Sequence, residues 1–130
     1  DPLYDSVSSV WLLIIAMVVV APIYEELVFR GVIWSALKEQ FAIRFDKTEL
    51  SKADGLAQSE AHGALMASLI TSLVFAVMHL QYGLYEISTI VVLALIFCYA
   101  RYKSGSLFLP IALHIFNNGL AMWQYLAQAA

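Results

Sequence analysis

Few residues in this chain combine a type and a spacing that could do chemistry. Glu25, Glu26 and Arg30 interrupt one apolar run, His79 ends a second, and His114, Asn117 and Asn118 sit in a third. A charge in hydrocarbon is costly, so it needs a partner, a wet cavity or a task. Glu26 and Arg30 are four apart, which on a helix puts acid and base on one face in the favourable order. Glu25 points about 100° away from Glu26 and has no local partner. A carboxylate placed this way suits general base or acid work. Phe75 with His79 and His114 with Asn118 repeat the spacing of four, so each pair shares a helix face.

Two chemistries fit this set. In the first, a glutamate activates water for attack on a carbonyl, one histidine helps, and a His/Asn pair donates hydrogen bonds to the oxyanion. In the second, Glu25, His79 and His114 are ligands of a zinc ion. The absence of a short ligand spacing makes the metal reading the weaker one. Other hydrolase signatures are missing. His62, His79 and His114 are followed by Gly, Leu and Ile, so there is no H-E-x-x-H. Asp1, Asp5, Asp46 and Asp54 all lie in polar stretches, which excludes an intramembrane aspartyl pair. No G-x-S-x-G supplies a serine nucleophile.

The elements that must position these groups are membrane helices. Hydrophobic residues make up 62% of the 130 and charged ones 13%, with a mean hydropathy of +0.77. That is the composition of a bilayer protein, not of a soluble core. No basic patch interleaved with aromatics offers a surface to nucleic acid. Cys98, the single cysteine, rules out an internal disulfide and reads as a small buried residue. The chain opens on Asp1, so we expect the single domain 1–130 to be the core of a longer protein.

Four apolar rods are expected. The first covers 7–37, too long for a hydrocarbon core of about 30 Å unless it tilts or bends, and Pro22 is the expected kink. Residues 38–61, with Asp54-Gly55 as a turn, read as an aqueous connection, in part helical, that leaves His62 in a loop. The other rods are 63–80, 84–102, with Glu86 near its start, and 109–126, with Pro110 in the first turn. Basic residues outside the motif occupy two connections: Lys38, Arg44, Lys47 and Lys52 in one, Arg101 and Lys103 in the other. Both should then be cytoplasmic. Trp11, Trp34 and Trp123 read as interface anchors. His79 must lie beside Glu25 if the site is to work. It can do so if the second rod starts in the aqueous layer or the 81–86 turn is submerged.

Glu25-Glu26-x-x-x-Arg30, Phe75-x-x-x-His79 and His114-x-x-x-Asn118, in this order, resemble the three motifs of the CAAX protease and bacteriocin-processing family. The context agrees: Ala-Pro before the acids, Phe29-Arg30-Gly31 after them, and Ser104-Gly105-Ser106-Leu107 ahead of His114. The resemblance spans about residues 10–120. It implies an all-α polytopic membrane bundle and an intramembrane endopeptidase that trims prenylated C-termini or processes peptides. By motif position Glu25 would be the water-activating base, assisted by His79. His114 and Asn118 would form the oxyanion site, with Glu26 and Arg30 in support. Members have also been described as metalloproteases, which keeps zinc as an alternative to a cofactor-free site. Family members usually have more spans than four. The expected partners are membrane lipid and a protein or peptide substrate, with the site open to the cytoplasmic side of the plasma (inner) membrane. A catalytically silent scaffold or immunity protein of the same fold, and a proton or metal transport fragment, are the alternatives to an enzyme.

Overall fold

The structure, a computed structural model, describes residues 2–49 and 55–129, with side chains over 8–45 and 55–129. It is all-α. A single rod runs through α1 (Pro2–Ile15), a π-helical segment (Ala16–Val20), α2 (Ala21–Glu26), a second π segment (Leu27–Ile33) and α3 (Trp34–Glu49). Then follow α4 (Gly55–Val77), α5 (Leu84–Ser104) and α6 (Phe108–Ala129). Among the described residues three helices are long and apolar enough to cross a bilayer: Ser8–Phe45, Gly55–Val77 and Leu84–Ser104. At 22 residues α6 has the length, about 33 Å at 1.5 Å per residue. Its His114, Asn117, Asn118, Gln124 and Gln128 make it the more polar rod.

Pro22 does not break the first rod. Proline lacks the N–H that an α-helix would use, and the π turn just before it absorbs that loss. Such segments often mark functional sites. The stretch expected to be an aqueous connection is mostly helix. Its Lys, Glu, Gln and Ala residues are good helix formers, so α3 runs on to Glu49 and α4 starts at Gly55. The two pack closely: Ser59 Oγ donates to the Ala42 carbonyl at 2.6 Å, and Lys38 pairs with Glu60. Gly63 makes the approach possible, because a Cβ there would collide with the Lys38 carbonyl. His62 is therefore on a helix, with its ring stacked on Phe45 at 4.4 Å. The Asp54 side of the expected turn, and the side chains of Lys47 and Lys52, lie outside the described residues.

α4 ends at Val77, three residues early, and tight turns carry the chain through His79 to Tyr82. Residues 81–86 are exposed, so no part of the described chain submerges that turn. The α4 helix begins well before residue 63, in keeping with a start in the aqueous layer. Gly105, at φ 67°, ends α5 in the left-handed conformation, and its N–H donates to the Arg101 carbonyl at 3.1 Å. That conformation is the one glycine adopts cheaply at a helix end.

Small residues bring the rods together, as expected where lipid gives no hydrophobic drive between helices. One core cluster is Trp34, Ala64, Ala67 and Cys98; the other is Phe29, Phe75 and Ala94. Trp34 is not an interface anchor. It is 3% exposed, and its indole N–H donates to Ser68 Oγ at 3.0 Å. Trp11 and Trp123 are exposed, as are Leu73, Tyr99 and Phe116, which leaves them free to meet lipid.

Candidate functional site

Glu26 is the centre of a buried polar knot. It and Arg30 are both 0% exposed, and Arg30 Nη1 donates to Glu26 Oε1 at 3.1 Å. The same oxygen takes a 2.8 Å hydrogen bond from His114 Nδ1, across from α6. With a carboxylate as acceptor, Nδ1 carries the proton. Arg30 Nη2 donates to the Ala94 carbonyl at 3.1 Å. Its guanidinium also lies 4.9 Å from the Phe75 ring centre and 5.3 Å from that of Phe97, within cation–π range. The His114 ring stacks on Phe97 at 4.8 Å. Four rods thus meet on one ion pair. Glu26 Oε2 and Arg30 Nε stay buried without a protein partner.

Glu25 differs. Its side chain is 29% exposed, and His114 Nε2 lies 3.5 Å from its Oε2. His114 therefore stands between the two carboxylates, one ring nitrogen toward each. Glu26 is locked in place, while Glu25 keeps one side open.

His79 and Asn118 are placed less directly. His79 Nδ1 hydrogen-bonds the Phe75 carbonyl at 2.7 Å, and its ring lies 4.7 Å from that of Phe75. The other side of the chain of rings is Phe75 to His114, 6.2 Å between centres. Both imidazoles thus flank Phe75, but no hydrogen bond or ion pair among the described residues joins His79 to Glu25. Asn118 Nδ2 donates to the Met17 carbonyl at 3.0 Å. The backbone explains this bond. The Ala21 N–H turns to Ala16 O in the π segment, and Pro22 has no N–H. Met17 O thus lacks both its α-type and its π-type donor, and the Asn118 amide supplies one. Among the described residues Asn117 Nδ2 donates to Asn118 Oδ1, at 3.5 Å.

Among the described residues no group of three or more His, Cys, Asp or Glu side chains could hold a metal ion. Glu25, His79 and His114 form no such group. Phe97, the Ala94 carbonyl and the Met17 carbonyl belong to the site and were not expected. A phenylalanine in an apolar run carries no distinguishing mark, and a backbone carbonyl none at all. The proline five residues after Met17 was the one available signal.

Comparison with known proteins adds the following. The family model for Rce1-like type II CAAX prenyl endopeptidases matches residues 7–120. An uncharacterized 24.3 kDa protein of Escherichia coli is 28% identical over 111 residues, covering 85% of this chain and 42% of that protein. The chain thus spans less than half the length of this relative. No solved structure matches.

Proposed function

Since the chain belongs to the Rce1-like family of type II CAAX prenyl endopeptidases, we propose that it is an integral membrane endopeptidase working by glutamate-activated water. The observation that carries this reading is the contrast between the two adjacent carboxylates. Glu26 is fully buried, with Oε1 held by both Arg30 and His114, while Glu25 is partly open and faces His114 Nε2. In this scheme Glu25 takes a proton from water as the oxygen attacks the peptide carbonyl, and delivers it to the leaving amine as the C–N bond breaks. His79, whose Nδ1 is engaged by the Phe75 carbonyl and whose Nε2 has no partner among the described residues, helps hold the water. As an imidazolium, with Nδ1–H kept on Glu26, His114 donates its Nε2–H to the oxyanion, and Asn118 donates beside it. The Nδ1 bond to Glu26 fixes the His114 ring. Asn118 retains a second amide N–H beyond the one given to Met17.

The substrate in this reading is a peptide or a protein C-terminus, prenylated in the CAAX case, that reaches the site from the cytoplasmic side of the inner membrane. Lys38 and Arg101, from the two basic connections, line one cavity and so share one end of the bundle, which supports that orientation.

The test is cleavage of a fluorogenic prenylated CAAX peptide in proteoliposomes. Glu25→Gln should lower the rate at least about a hundredfold with the helical signal intact. Cleavage at the wild-type rate rejects the assignment. Loss of wild-type activity in chelator, restored by added zinc, would transfer the chemistry to a metal.

A further inference from the structure

About two turns from Arg30 along the rod, a cavity of about 570 Å³ opens between α3, the start of α4 and the end of α5. Its lining includes Trp34, Lys38, Glu39, Glu60, Arg101 and Tyr102. The volume suits a small-molecule site. It lies where charged residues gather at the end of the bundle, the level of a membrane–water interface.

The charges here are unevenly used. Lys38 and Glu60 neutralise each other. The Arg101 guanidinium lies 5.3 Å from the Trp34 ring centre. It hydrogen-bonds no protein acceptor among the described residues, and its Nε is buried without a partner. Glu39 is exposed and forms no ion pair with Arg101 or any other described cation. One guanidinium and one carboxylate thus remain open in a single cavity without pairing to each other. A ligand matching both carries an anion for the Arg101 fork and an ammonium for Glu39.

We propose that this cavity binds the phosphoethanolamine headgroup of a zwitterionic phospholipid, phosphate on Arg101 and primary ammonium on Glu39. A quaternary ammonium would instead need a bare aromatic face. Those faces are taken: Arg101 and Lys38 cover Trp34, and Lys38 and Lys103 lie against Tyr102. The site therefore discriminates phosphatidylethanolamine from phosphatidylcholine through the N–H donors, and from phosphatidylglycerol through the charge.

Native mass spectrometry of the detergent-solubilised chain, titrated with each of the three lipids, reads this directly. Wild type should retain phosphatidylethanolamine as one discrete adduct, about tenfold over the other two. Arg101→Gln should lose that adduct, and Glu39→Gln should bring it level with the others. Glu39 is exposed, so its isosteric change keeps the test valid if the arginine variant does not fold. Soluble glycerophosphoethanolamine at equal concentration should leave the lipid in place; its displacing the lipid would make the site one for free phosphoesters. Equal retention of all three lipids by wild type, or an unaltered preference in Glu39→Gln, overturns the proposal. None of these readouts depends on peptide cleavage.

Discussion

Charges occur in two regions of this bundle and are treated in opposite ways. Around Glu26, Arg30 and His114 they are dry and tied to one another, to the Ala94 carbonyl and to aromatic faces. Around Arg101 and Glu39, where water is near, two groups are left open in a cavity. In hydrocarbon an unpaired charge is too costly to keep, so most of the inner cluster serves structure. The exception is Glu25, which borders the cluster yet keeps some exposure. The difference teaches where to look for reactivity: in the group at the edge of the buried network that stays partly exposed.

That contrast can be broken from its most dependent member outward. Arg30→Met should cost the most, about 3–5 kcal/mol, because Glu26 would stay buried with only His114. Thermal unfolding followed by circular dichroism in detergent should show the drop, and an unchanged midpoint would deny Arg30 its structural role. Gly63→Leu comes next, at about 1–3 kcal/mol, by forcing α3 and α4 apart at the Lys38 carbonyl. The same melt checks it, and an unshifted midpoint would mean the two helices can yield at no cost. Asn118→Ala should cost least, about 1 kcal/mol, since it removes one donor from Met17 O. A loss as large as that of Arg30→Met would mean Asn118 anchors α6 rather than tops up a carbonyl.

The parts of this scheme carried by spacing were legible in the sequence. Glu26 with Arg30, and Phe75 with His79, meet because side chains four apart share a helix face. The all-α membrane class followed from hydropathy. The inward face of each rod did not, because lipid-facing positions are as apolar as packed ones and the helical period loses its contrast. Trp34 was misplaced for this reason: tryptophan favours the interface in general, while here Ser68 and Arg101 offer its indole partners inside. In residues 38–61 the extent of helix was not legible, because charge marks exposure to water, not absence of helix. The π segments depend on which N–H meets which carbonyl, a choice that residue types express only through Pro22.

The most direct test of the division between the two carboxylates is to change each to glutamine and measure cleavage and melting on the same preparations. The account predicts that Glu25→Gln melts like wild type yet cleaves at least about a hundredfold more slowly, while Glu26→Gln melts markedly earlier. Full cleavage by Glu25→Gln, or equal destabilisation of the two variants, would contradict it.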